Sequence, residues 1–273
     1  MRRGILCLSF LLFWIRSGAS EPLDSAFTRF QYFDYDQGIL WTATVTLRKG
    51  ETEVDLVSAV HIADREYYQE IQRELSSCDK VFFELVANEK AKQATSLSKL
   101  LIEVSQALGL SHQVAEIDYN QPNFIHADLS WQEIAELLKG GNLPPPPEEP
   151  LIRKVIPNLP RELHFQEDPF LYDPKSRAAF KVALGRILGD IEGAFALMNA
   201  NLNKESVLIT KRNARALQVA KPYLKGKTRV AIFYGAAHMP DFAKRLRKMG
   251  FKPVFVRWHM AWRIGRVPHV RWF

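Results

Sequence analysis

Three residues of this chain carry side chains suited to a divalent metal: His61, Glu84 and His238. Neutral imidazole nitrogens and a carboxylate oxygen bind such an ion, and three protein donors leave a position open for water. A metal makes that water acidic enough to attack a carbonyl near neutral pH. The order His…Glu…His is spread along the chain and lacks the tight HExxH helix spacing, so spacing alone is a weak metal signal. Glu84 is also a candidate catalytic residue, together with Arg212 and Asn213 in a later segment. A guanidinium holds a substrate carboxylate or a developing oxyanion, and an amide can donate beside it. With Lys211 and Arg215, the same pair also suits a solvated helix face. His126 and Asp128, preceded by Glu116 and Asp118, form a second polar group that local turn bonding largely explains.

The elements that must position these residues follow from periodicity. Val54, Leu56, Val57, Ala59 and Val60 form a near-continuous apolar run, which suits a strand covered on both faces. His61 closes that run. Asp64 is placed to cap a helix with Glu66 in its first turn, and Tyr67, Tyr68, Ile71 and Leu75 recur at helical spacing. Val81-Phe82-Phe83 returns as a strand ending on Glu84. Residues 229–257 repeat the pattern: strand Val230–Tyr234, turn Gly235-Ala236-Ala237-His238, helix Pro240–Met249, Gly250 at its end, strand Pro253–Val256. His61-Ile62-Ala63-Asp64 aligns with His238-Met239-Pro240-Asp241. The expectation is an α/β fold, a mixed or mostly parallel sheet flanked by helices, containing two related strand–xxxH–helix–strand units. Parallel strands would put the histidines and Glu84 at the carboxyl edge, where open α/β sheets bind ligands.

Elsewhere, Ile39–Leu47 and Glu53–Val60 read as a hairpin about Lys49-Gly50. Helices are expected over Glu89–Leu110, Leu129–Lys139, Lys175–Leu202 and Ser206–Tyr223, the second opened by a Ser130/Glu133 capping box. Val114–Tyr119 suggests a strand and Asn120–Asp128 a turn. A Pro-rich insertion near 143–173 would interrupt a single domain spanning 21–273.

At 273 residues and 47% hydrophobic, the chain can bury one substantial core. Residues 1–20 read as a signal peptide: Arg2-Arg3, an apolar Ile5–Ile15, then Ser17-Gly18-Ala19-Ser20. The apolar run of about eleven residues is short for a membrane span. A secreted or periplasmic protein is expected. Cleavage would remove Arg2, Arg3, Arg16 and no acid, leaving 34 basic against 30 acidic residues and a charge of +4. That mild balance gives no reason to expect a nucleic-acid partner. Locally, Arg257, Arg263, Arg266 and Arg271 interleave with Trp258, Trp262, Trp272 and Phe273. This mixture suits either peripheral membrane contact or a last strand packed on the body. Cys78 would be the sole cysteine of a mature chain and reads as an ordinary buried residue. There is no P-loop, no GxGxxG after a strand and no GxSxG elbow.

Three motifs resemble the TraB/GumN/Tiki family. Gly235–His238 resembles its GxxH motif, Glu84 in Phe82-Phe83-Glu84-Leu85 its glutamate, and Lys211-Arg212-Asn213 its Arg-Asn helix. The first GxxH departs, with Ser58 where the family has glycine. The resemblance spans about residues 39–258 and implies a fold related to the erythromycin-esterase and ChaN-like proteins. Its Tiki branch implies a metal-dependent protease in which His61, Glu84 and His238 hold the ion and Arg212 and Asn213 serve the substrate or the site geometry. The expectation is a hydrolase that uses Mn, Co or Zn to cleave a peptide or small-molecule amide or ester bond. The alternative is a non-catalytic protein holding haem, iron or a peptide signal in the same crevice.

Overall fold

The computed structural model describes residues 26–85, 96–139, 173–190 and 207–266. The expected signal segment, residues 143–172 of the Pro-rich insertion, and Arg271, Trp272 and Phe273 lie outside them.

The hairpin is present. Strands β1 (Thr28–Asp34), β2 (Gln37–Lys49) and β3 (Thr52–Ala59) follow one another, with Gly50 at φ 59° in the tight β2–β3 turn. A two-residue strand, β4 (Ile62–Ala63), leads into helix α1 (Arg65–Ser76), and β5 (Lys80–Phe83) delivers Glu84. Then come α2 (Ser96–Leu108), β6 (Ser111–His112), α3 (Gln113–Glu116), β7 (Phe124–His126) and α4 (Trp131–Lys139). The chain ends with α5 (Pro174–Gly189), α6 (Val207–Ala220), β8 (Arg229–Gly235), α7 (Met239–Lys248) and β9 (Lys252–Ile264).

The architecture is α/β, a mixed sheet flanked by helices. Its centre is parallel, in the order β3-β8-β5-β7. Its flank is antiparallel: β2 pairs β3 and β1 along one side and β9 along the other. Apolar residues alternate between the two faces, as a pleated strand requires. Val57, Val81, Phe83, Ala231 and Phe233 pack with Tyr67, Tyr68, Ile71 and Leu75 of α1 and Phe180 of α5. Leu56, Phe82, Ile232 and Tyr234 pack on the opposite face with Ala216 and Ala220 of α6 and Phe242 and Leu246 of α7.

Both strand–His–helix–strand units are present, but their closing strands part company. β5 joins the parallel centre beside β8, whereas β9 runs antiparallel to β2 with two register shifts. The Trp/Arg stretch is therefore strand as far as Ile264, and Trp262 is fully buried.

Two local expectations are corrected. Val114–Tyr119 is not a strand: the Gln113 N–H donates to His61 O, and Ile117 N–H closes one helical turn on Gln113 O. Asn120–Asp128 is more than a turn, because Phe124–His126 forms the last parallel strand beside β5. Three residues carry too little alternation to reveal it. Of the helix expected over Lys175–Leu202, the described part runs Pro174–Gly189 with Asp190 out of helical conformation, and residues 191–202 lie outside the described residues. The capping box holds in both directions: Ser130 Oγ accepts from Glu133 N, and Glu133 Oε2 accepts from Ser130 N.

Candidate functional site

Each of the four parallel strands ends on a polar residue at one edge of the sheet. His61 follows β3, Glu84 follows β5, Asp128 lies two residues past β7, and His238 closes the 3-10 turn after β8. Helix α6 supplies the rest. Its Ala216 and Ala220 are fully buried against the sheet, and Arg212, one turn earlier, reaches the edge.

Arg212 is the hub. Its Nε donates to Asp128 Oδ1 at 2.8 Å and its Nη2 to Asp128 Oδ2 at 2.6 Å, a bidentate pair. The same Nη2 donates to Glu84 Oε1 at 2.6 Å. The Gly235 N–H donates to the other oxygen, Glu84 Oε2, at 2.6 Å. Gly235 has φ −55°, so its value is close approach rather than an unusual backbone. A Cβ there would stand 3.2 Å from Glu84 Oε2.

His238 is only 5% exposed, and its tautomer follows from its neighbours. Asn213 Nδ2 donates to His238 O at 3.0 Å and to Asp241 Oδ2 at 2.9 Å, which fixes the amide's orientation. Asn213 Oδ1 then faces His238 Nδ1 at 2.6 Å as an acceptor, so Nδ1 carries the proton. The remaining lone pair is on Nε2, which accepts from Arg212 Nη1 at 3.4 Å and lies 3.6 Å from Glu84 Oε1. Asn213 is itself fully buried and acts through His238, as a positioning residue. Asp241 is held in turn by Arg245 Nε at 2.6 Å.

Burial alone would raise the Glu84 carboxyl. The charges of His238, Arg212 and His61 and the Gly235 amide more than offset it and hold the group at about 2. Burial pushes His238 below the usual imidazole range, against the pull of Glu84. The ring is therefore neutral at neutral pH. Burial would also weaken the Arg212 cation, but Asp128 and Glu84 raise it well above its ordinary value. Cys78 is buried, and burial pushes its thiol up to about 12, consistent with an ordinary core residue.

The expected residues thus share an edge, with differences. His61 is exposed, and its charge reaches Glu84. Its backbone carbonyl is engaged by Gln113. The donor types suit a divalent ion, and an imidazole fixed through Nδ1 is oriented as metal-binding histidines are. The arrangement does not suit one, because the Arg212 guanidinium lies against both Glu84 Oε1 and His238 Nε2. Among the described residues, no group of three or more His, Cys, Asp and Glu side chains is placed to hold a metal.

Sequence reasoning underrated Asp128, whose side chain is fully buried beneath Arg212. Its partner lies 84 residues away, so no local pattern exposes it. The Asp at the fourth position of both His motifs was a usable signal. Asp241 anchors Asn213, while Asp64 is the N-cap residue of α1 as expected, but its side chain accepts from Arg263 N at 2.9 Å and makes no cap bond. Among the described residues, no helix is long and apolar enough to cross a membrane. Comparison with protein-family models, with curated proteins and with solved structures finds no match to this chain.

Proposed function

We propose that this edge is the active site of a hydrolase acting on a peptide or related amide or ester bond. The observation that carries the reading is the 2.6 Å contact of Asn213 Oδ1 with His238 Nδ1, which leaves Nε2 unprotonated beside a cationic donor, Arg212 Nη1. A neutral imidazole with a depressed pKa is in its basic form at neutral pH. His238 Nε2 takes a proton from water, and the resulting hydroxide adds to the substrate carbonyl. The carbonyl oxygen becomes an oxyanion facing Arg212 Nη1, the end of the guanidinium not committed to Asp128 or Glu84. Collapse breaks the bond to nitrogen or oxygen, and Nε2–H returns the proton to the leaving group. Glu84 holds Arg212 and the Gly235 turn in place. The Glu84 and Arg212 side chains keep 15% and 13% exposure, so solvent reaches the edge.

The Mn, Co or Zn ion expected at His61, Glu84 and His238 has no part in this reading, because Arg212 lies against Glu84 Oε1 and His238 Nε2. In the arrangement described, Arg212 provides the positive charge there. The family likeness of the Gly235–His238, Glu84 and Arg212-Asn213 motifs supports hydrolysis, and secretion or a periplasmic address remains part of the proposal through residues 1–20.

The test is turnover of a quenched-fluorescent peptide library and an aryl-ester panel by wild type and His238→Ala, with folding checked by circular dichroism. Loss of a general base lowers the rate by roughly 10²–10⁴-fold. Equal turnover by a folded His238→Ala protein would sink the reading, as would a wild type inert to every substrate.

A further inference from the structure

A second site lies away from the Glu84 edge. A cavity of about 240 Å³ opens where the start of α5 meets the end of β9 and the end of α2. Its cationic lining comes from Arg177 and Lys181 of α5, and Arg263 of β9 borders it. Leu108, Ile264 and Gly265 supply apolar and backbone wall, and among the described residues no acid lines it.

Lys181 is the decisive group. It is 8% exposed, yet its ammonium makes no hydrogen bond or ion pair among the described residues. Its nearest specific contact is the Trp262 ring, 5.9 Å from Nζ to the ring centre. Asp64 adds only a Coulombic pull from beyond the cavity wall, and its Oδ2 already accepts from Arg263 N. Burial and the neighbouring Arg177 both disfavour the charged amine. A cation drawn largely out of water without a partner is costly, and such charges are ordinarily paired with a counter-ion. The α5 N-terminus adds positive field, but Asp173 already accepts from the Ser176 N–H, so side chains must do the holding.

We infer that this cavity binds the oxyanion end of a small phosphorylated or carboxylated molecule, with Lys181 as the central cation and Arg177 beside it. The volume exceeds that of a bare oxyanion, since a liquid water occupies about 30 Å³. The apolar wall at Leu108 and Ile264 would meet the rest of the ligand. None of these residues belongs to the Glu84 edge, so the inference stands apart from the hydrolase reading.

The test is calorimetric titration of the full chain with inorganic phosphate and, separately, with acetate at matched ionic strength. The expected result is saturable binding of one equivalent of at least one probe, weakened tenfold or more in Lys181→Met. The probe that binds more tightly names the ligand class. Arg177→Gln, which leaves the buried amine in place, is expected to weaken binding as well, and His238→Ala to leave it unchanged. Absence of saturable binding of both probes would overturn the inference, and so would unaltered affinity in Lys181→Met. Should Lys181→Met fail to fold, unaltered affinity in Arg177→Gln decides against it.

Discussion

The chemistry proposed for the edge depends on which nitrogen of one imidazole bears a proton. Asn213 makes that choice for His238, at 2.6 Å from Nδ1. Replacing it by alanine frees the ring, and activity is expected to fall roughly 10–100-fold, as for other outer residues that orient a histidine. Asn213→Asp keeps an acceptor there but adds a negative charge, so the His238 ionisation should move upward. The acid limb of the pH–rate profile reads this directly. A limb unmoved by Asn213→Asp would show that Asn213 only supports the fold. Arg212 invites a different test, because it occupies the space between the metal donors of the sequence reading. Metal analysis after loading with Mn, Co or Zn should find well under one ion per wild-type chain. Arg212→Gln, which frees Glu84 Oε1 and His238 Nε2, should take up more. A wild type carrying one ion per chain, lost in Glu84→Ala, would show that Arg212 yields its place. Sequence exposed the Arg212-Asn213 pair as a motif but not its division of labour. Adjacent residues on a helix point about 100° apart, so one reaches the edge and the other turns to His238.

Among the elements, α1 is fastened to the antiparallel flank by a charge cluster centred on the buried His259 and Glu74. His259 of β9 lies with Nδ1 2.8 Å from Glu70 Oε1 and Nε2 3.1 Å from Glu74 Oε2, both on α1. Arg257 Nη1 is 3.5 Å from Glu74 Oε2, and Thr44 Oγ1 of β2 is 3.0 Å from His259 Nε2. Burial would lower this imidazole, but the two glutamates raise it to about 9. A folded-state value above the unfolded value of roughly 6.5 stabilises the fold most below the lower value. That stability is lost as pH rises through about 9, by on the order of 3 kcal/mol. Thermal unfolding followed from pH 6 to 10 should therefore show a falling midpoint, flattened in His259→Asn. The same slope in the variant would remove His259 as its cause. This cluster was hidden in the sequence, since Glu70 and Glu74 sit one turn apart like any solvated helix pair. Only the pairing of β9 on β2 brings His259 beneath them.

The molecule as a whole shows why the units were legible and their assembly was not. Val54–Val60 and Val230–Tyr234 are long apolar runs, and each is followed by a turn, a histidine and an amphipathic helix. These are strong local signals. Which strand neighbours which is decided by tertiary contacts, so the insertion of β8 between β3 and β5 left no trace in either run. Ser58 illustrates the cost of reading repeats by alignment. It aligns with Gly235 but pairs across the sheet with Tyr234, inside the strand. A serine is accommodated there because the close approach to Glu84 occurs at Gly235 alone. The parallel centre then gathers four strand ends and one helix face into a single edge, where a neutral His238 turns Nε2 toward Arg212. The most direct test of that arrangement is the imidazole ¹⁵N spectrum of His238 across pH, assigned by its loss in His238→Ala. A neutral, Nδ1-protonated ring at pH 7 that titrates below the usual imidazole value is expected. An Nε2-protonated ring, or an imidazolium persisting at pH 7, would contradict it.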